Sequence, residues 1–430
     1  LLISRRNFLY LSGASFSATL LTQCLQTLGN RDQASALSVS RYGNLVPDPK
    51  GMLDLPPGFQ YRILSRTGQP MSNGHPTPAA PDGMAAFAGD NGTTILIRNH
   101  ELNPWDNPGV KGDRPYDAKA VGGTTTLVLD GERQLIRDYA SLTGTVRNCA
   151  GGPTPWGSWI SCEEDISTPS IGPVSKNHGY VFEVPARATE PVEAVPFKAM
   201  GRFNHEAIAV DPATSIVYLT EDRAAGLFYR FVPKTPQQLS AGGTLQALKL
   251  KDRSQAITRT GITVGATLPV EWVTIETPDP PEDTVRVEGF QKGAAQFSRG
   301  EGLWYGDGLI YFTCTNGGSA GHGQLWAYRP GATATEGGTL TLLVEPNDPT
   351  QLDFPDNLTV APFGDLFLVE DGQGEQFLRL LTPQGELSTF ARNALNSAEL
   401  SGVCFGSKPL TLFVNIQQPG ITFAIWGPFV

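Results

Sequence analysis

Charge is scarce in this chain: 17% of its 430 residues are Asp, Glu, Lys or Arg, against 40% hydrophobic. So few charges beside so many apolar residues exclude a disordered chain or a coiled coil. The charge that exists leans acidic, with 42 carboxylates against 32 basic residues and a net of −10. That balance argues against a nucleic-acid partner or an anionic membrane surface. Cysteine is equally sparse. The chain has five, with no Cys-x-x-Cys pair, which excludes a disulfide scaffold. Beyond the N-terminus no apolar run approaches the ~18 residues of a membrane span. Also missing are a His-Glu-x-x-His helix, a glycine-rich phosphate loop before a helix and a Gly-x-Ser-x-Gly elbow. The chain is therefore no zincin, nucleotide-binding fold or α/β-hydrolase.

Glycine and proline, by contrast, are plentiful at 48 and 34 residues. They fall between short apolar runs, the pattern of many short strands joined by turns. At the N-terminus, Ser4-Arg5-Arg6-Asn7-Phe8-Leu9 resembles the twin-arginine export motif. A weakly apolar stretch follows, and Ala34-Ser35-Ala36 offers small residues for a signal peptidase. Residues 1–36 are thus expected to be an export signal read by the twin-arginine machinery. Residues 37–430 would form a single domain that is periplasmic or secreted, without stable membrane insertion. Cys24 leaves with the leader, so Cys149, Cys162, Cys314 and Cys404 remain.

Internal repetition is the strongest signal. Six apolar strands each run into a polar cluster: Arg98-Asn99-His100-Glu101, Ser161-Cys162-Glu163-Glu164-Asp165, Thr220-Glu221-Asp222, Thr313-Cys314-Thr315-Asn316, Glu370-Asp371-Gly372 and Asn415-Ile416-Gln417-Gln418. A second register precedes each strand, at Asp82-Gly83, Asn148-Cys149-Ala150-Gly151, Asn204-His205-Glu206-Ala207, Arg299-Gly300-Glu301-Gly302, Pro355-Asp356-Asn357 and Glu399-Leu400-Ser401-Gly402. Turn sequences such as Asp90-Asn91-Gly92 and Gly306-Asp307-Gly308 join the two registers into hairpins. The irregular spacing after the third repeat brackets a Pro- and Thr-rich insertion at about 233–290.

Six hairpins with outer strands predict an all-β, six-bladed propeller with a metal site at one end of its central channel. The strand Gly58–Leu64 is expected to pair with the last blade and close the ring. Two β-sandwiches are the other architecture considered, but they would not explain polar clusters recurring at one place in every repeat.

Placed round one axis, the registers gather Cys149, Glu206, Glu301, Asp356, Arg299 and His205 at the channel mouth. Several anionic groups converging there would repel one another unless cations neutralise them. Carboxylate oxygens suit hard cations such as calcium, and a thiolate suits iron or another transition metal.

These strings resemble the PhoX family of bacterial alkaline phosphatases. The resemblance runs in order from Tyr42-Gly43-Asn44-Leu45-Val46-Pro47-Asp48-Pro49 through Asn148-Cys149-Ala150-Gly151-Gly152, His205-Glu206-Ala207, Arg299-Gly300-Glu301-Gly302 and Pro355-Asp356-Asn357-Leu358 to Leu412-Phe413-Val414-Asn415-Ile416-Gln417. It implies a propeller that hydrolyses phosphate monoesters with iron and several calcium ions. Carried over by motif, Cys149 and Glu206 would be iron ligands, and Glu301 would bridge or bind metal at the catalytic centre. Arg299 would clamp phosphate oxygens. Glu164, Glu221, Asp356 and Glu370 are the calcium-ligand candidates, with Glu101 behind them. The chain departs from the pattern in being short, in Gln418 where many relatives have His, and in Cys314, whose repeat has no acidic pair.

The expectation is an exported, metal-dependent phosphatase that takes small phosphate esters. The alternatives are a calcium-dependent lactonase-type esterase and a non-catalytic cation-binding propeller. A thiol beside Arg299-Gly300-Glu301 favours the first.

Overall fold

The structure, a computed structural model, describes residues 37–430 except 334 and 335. The arginine pair and the expected cleavage site lie outside the described residues. Twelve strands carry the argument, in six antiparallel hairpins: β1 (Pro81–Ala88) with β2 (Thr94–His100), β3 (Asn148–Pro153) with β4 (Ser158–Glu163), and β5 (His205–Val210) with β6 (Val217–Glu221). The other three are β7 (Gly300–Gly306) with β8 (Leu309–Cys314), β9 (Pro355–Val360) with β10 (Leu366–Glu370), and β11 (Leu400–Ser407) with β12 (Leu410–Ile416). Both registers seen in the sequence thus fall at one end of these hairpins.

The odd-numbered strands are innermost. β1 packs on β3, β3 on β5, β5 on β7, β7 on β9, β9 on β11, and β11 returns to β1. So tight a ring needs small residues. A Cβ on Gly83 would stand 2.6 Å from the Cα of Ala150, and one on Gly302 would stand 2.6 Å from the Cα of Asn357. Only glycine lets these backbones approach so closely.

Outer strands extend the hairpins into five sheets. Four hold three to five strands. The third and fourth hairpins share the fifth, a ten-stranded sheet, because Thr267–Thr274 pairs with Thr339–Val344 at its middle. Its end strands β5 and β7 also touch, so this sheet curls nearly closed. The segment 233–290 supplies its strands Gly243–Leu250 and Thr267–Thr274, and the helix Val285–Gln291 packs on its Gly226–Pro233 strand. The fold is all-β and propeller-like.

The N-terminal chain laces the ring shut. Gln60–Arg66 pairs with Ile421–Trp426, as the sequence leads one to expect, and Leu53–Asp54 pairs with Leu387–Asn393. Inside the curl of the ten-stranded sheet the strands bury their apolar faces against one another. The rings of Phe228 and Phe312 stack at 4.4 Å, and Trp326 lies over Phe312 at 6.3 Å. Each such buried side chain contributes roughly 1.5–3 kcal/mol of transfer free energy. Cys162, Cys314 and Cys404 are buried, unbridged strand residues. Among the described residues no helix is long and apolar enough to cross a membrane.

Candidate metal centre

Every hairpin breaks register at the same place. Pro81 pairs with His100 and Met84 with Arg98, so Asp82 and Gly83 together oppose Asn99. The equivalent irregularities put two residues opposite one at Cys149-Ala150, Glu206-Ala207, Glu301-Gly302, Asp356-Asn357 and Gly402-Val403. A β-bulge twists its strand and re-aims a side chain. Here it directs Asp82, Cys149, Glu206, Glu301 and Asp356 at one another. The sixth hairpin contributes Gly402 and no ligand.

Three sets of ligand atoms each lie within 4.8 Å of one another: Asp82, Glu101 and Cys149; Cys149, Glu164 and Glu206; Glu206, Glu301 and Asp356. The sets form an arc, sharing Cys149 and then Glu206. Of the sequence candidates, Cys149, Glu164, Glu206, Glu301 and Asp356 therefore come together.

Glu221 and Glu370 do not. Glu221 accepts hydrogen bonds from the Tyr229 hydroxyl at 2.8 Å and the Leu227 amide at 3.1 Å, with Arg286 Nη1 at 3.3 Å. Glu370 accepts from Arg379 Nε at 2.8 Å and the Asp353 amide at 2.9 Å. The reason is strand alternation. Glu221 and Glu370, like Glu163, end their strands facing into the sheet packing, and the next residue turns towards the channel. That next residue is Asp222 or Asp371, as it is Glu101 and Glu164 in the first two hairpins. His205 also faces away, with its ring 3.7 Å from Phe203 and its Nε2 3.0 Å from the Gly201 carbonyl. Burial lowers its pKa to about 3.

The bulges leave backbone carbonyls outside their own ladders, and the neighbouring hairpin satisfies them. Asn99 donates to the carbonyls of Cys149 and Ala150 at 3.2 and 2.6 Å. Thr220 donates to Glu301 at 2.6 Å, Thr313 to Asp356 at 2.7 Å, and Asn415 to Asp82 at 2.9 Å. The polar residues of the strand-end clusters thus hold the ligand residues of the neighbouring hairpin by their backbone.

Electrostatically the cluster is one-sided. Asp82, Cys149, Glu206, Glu301 and Asp356 are all at most 8% exposed. Burial pushes each of their pKa values well above the ordinary value, and repulsion among neighbouring acids adds to it. Burial likewise raises Glu164 to about 8, against the pull of Arg147. Neither carboxylate oxygen of Glu206 has a hydrogen-bond partner, nor does Oδ1 of Asp82. Buried oxygens left bare in this way are costly unless a cation binds them. The donor set therefore fits metal, with oxygens for a hard cation and one thiol for a softer one.

Two guanidinium groups border the arc. Arg299 grips Asp222 through Nε and Nη2 at 2.9 and 3.0 Å, and Nη2 also reaches Glu301 at 2.8 Å. Arg147 Nη2 lies 2.5 Å from Glu101 and also bonds Glu164. In place of a cation, Gln417 Nε2 spans Asp82 and Glu101 at 2.9 Å each, whereas Gln418 is exposed. The sequence reading missed Asp82, Arg147, Asp222 and Gln417 as parts of the site. Asp82 stood in the same register as Cys149, and Arg147 stands two residues before a ligand, as Arg299 does. Superposing the registers residue by residue is the signal that finds both.

A family model described as alkaline phosphatase PhoX matches residues 40–420. Among solved structures, Pseudomonas fluorescens PhoX in complex with vanadate, a transition state analogue, matches with a TM-score of 0.69. It is 19% identical, over 88% of this chain and 96% of that chain, a likeness of fold. A gluconolactonase from Xanthomonas campestris matches with a TM-score of 0.46 at 13% identity, over 91% of this chain and 99% of that one. No curated protein matches the chain.

Proposed function

Because the chain belongs to the alkaline phosphatase PhoX family and is a phosphatase, we propose that its active centre is the carboxylate–thiol arc at the channel mouth, loaded with iron and calcium. One observation carries this reading: Glu206, fully buried and without a hydrogen-bond partner on either oxygen, belongs to two ligand sets at once. A carboxylate so placed suits a bridge between two cations.

Cys149 and Glu206 would hold iron. Glu301 would join the second and third hairpins' ligands to Asp356, and Glu164 and Asp82 would complete the oxygen sites. Glu221 and Glu370 already accept hydrogen bonds from groups outside the arc and would stay out of it. Bound iron and calcium supply Lewis acidity to phosphoryl oxygens and make a water-derived nucleophile available near neutral pH. The chain's own part is positional. Arg299, whose Nε and Nη2 are held by Asp222, would offer its Nη1 donors to the equatorial oxygens, where charge spreads during phosphoryl transfer. Burial alone would lower its pKa, but Glu301 and Asp222 raise it above the ordinary arginine value, so the cation persists at alkaline pH.

The closed ring of six inner strands supports a six-bladed propeller, with the ten-stranded sheet as two blades joined at their outer edges. Arg5 and Arg6 support export through the twin-arginine machinery to the periplasm or medium, and changing both to Lys should hold the precursor inside the cell.

The test is metal analysis of the native protein beside its turnover of a simple aryl phosphate. Iron and calcium with turnover are expected. Calcium alone with lactone hydrolysis would replace this reading by the lactonase one. Calcium without any turnover would leave a cation-binding propeller.

A further inference from the structure

Arg147 and Arg299 occupy equivalent places in two hairpins. Arg147 directly precedes β3, and Arg299 directly precedes β7. Each is left-handed, with φ of 44° and 52°, a conformation that disfavours any side chain larger than glycine's. Each is anchored the same way, since the Arg147 amide donates to Leu102 and the Arg299 amide to Arg223, both on the loop leaving the preceding hairpin. Each then pairs with the channel-facing carboxylate of that preceding hairpin, Glu101 for Arg147 and Asp222 for Arg299. Both side chains remain 32% exposed at the mouth, above carboxylates that are buried.

The two arginines are two hairpins apart, and the hairpin between them carries Glu206. The ion pairs of Arg147 with Glu101 and Glu164 both run through Nη2, which leaves Nε and Nη1 outside them. A tetrahedral dianion seated over Glu206 and its cations would meet one guanidinium from each side.

From this symmetry we infer that Arg147 is a second phosphate-binding residue, the counterpart of Arg299 across Glu206. The inference rests on the phosphatase reading. It assigns Arg147 to the phosphoryl group common to all phosphate monoesters, so its effect should not depend on the leaving group.

The experiment measures binding of inorganic phosphate by calorimetry, with metal content, on metal-loaded native protein and on the Arg147→Ala and Arg147→Lys variants. Arg147→Ala should keep its iron and calcium yet bind phosphate about 10–100-fold more weakly, the effect of one charge-assisted pair. Arg147→Lys keeps the charge without the fork and should fall between. The loss in kcat/KM should be alike for aryl and alkyl phosphates. Unchanged phosphate affinity in Arg147→Ala would reduce the residue to a counter-ion of Glu101 and Glu164 and overturn the inference. Loss of metal from both variants would overturn it too, by making the role structural. Failure of the native protein itself to bind phosphate would sink the phosphatase reading and this inference together, whereas normal binding by native protein and both variants sinks the inference alone.

Discussion

The hydroxyl of Thr220 lies 2.6 Å from the backbone carbonyl oxygen of Glu301, across the boundary between the third and fourth hairpins. Thr313 stands in the same relation to Asp356, and Asn99 to Cys149. Ligand geometry is thus set by the neighbouring hairpin as much as by the ligand's own strand.

Thr220→Val keeps the shape and removes the donor. A buried carbonyl left without its partner should cost about 1–3 kcal/mol of stability. The Glu301 backbone should also loosen, lowering metal affinity. Denaturant unfolding of the metal-free protein tests the first effect, and metal titration the second. Equal midpoints and equal metal affinity would refute the buttress.

The hairpins were legible in the sequence because their signal is local: apolar runs of one length, turn dipeptides and recurring polar clusters. The merging of the third and fourth sheets was not, since pairing of Thr267–Thr274 with Thr339–Val344 joins segments that no local pattern links. At the site, Cys149, Glu206, Glu301 and Asp356 were legible because each stands in a recurring motif string, whereas Asp82, which leads its bulge as they do, was passed over. Glu221 and Glu370 misled for a physical reason. In an acidic pair at a strand's end, residue type cannot tell which carboxylate faces the channel, and the alternation that decides it depends on where the strand stops.

That alternation yields a second prediction. Glu221→Gln should leave metal content unchanged, because its carboxylate serves Tyr229, Leu227 and Arg286. Asp222→Asn, one residue on, should also keep metal but weaken the grip on Arg299, raising KM by roughly tenfold through loss of a bidentate pair. Metal analysis and steady-state kinetics on the two variants decide it. Loss of metal from Glu221→Gln would return that residue to the ligand set.

A third prediction concerns pH. His178 is buried between Glu163, whose Oε1 lies 2.6 Å from Nδ1, and Asp117, 3.5 Å from Nε2. Burial alone would lower its pKa, but attraction and hydrogen bonding to these carboxylates raise it above 6.5. A raised folded-state pKa stabilises the fold fully below the unfolded value, and the benefit fades as pH rises through the folded value. His178→Gln should therefore cost about 2–4 kcal/mol in mild acid, and progressively less at alkaline pH. Urea midpoints of both proteins across that range are the measurement. A gap that widens with pH would mean that the histidine is buried neutral.

The last prediction separates the group that holds substrate from those that hold metal. Arg299 offers only donors and is held by Asp222 through Nε and Nη2, so it gives no electron pair to a cation; its one tie to the ligand set is the bond from Nη2 to Glu301. Cys149 and Glu206 offer only electron pairs, in a pocket where burial raises both pKa values and no protein cation satisfies Glu206. Arg299→Ala should therefore retain its metal and lose phosphate-ester turnover, by about 2–4 kcal/mol of transition-state stabilisation for one preorganised donor. Cys149→Ser and Glu206→Gln each exchange an anionic ligand for a neutral one, and should lose iron and turnover together. The decisive comparison is metal content against rate on the same three preparations. Arg299→Ala that comes out free of metal, or Cys149→Ser with full iron and full rate, would reverse the roles even with every hairpin in place.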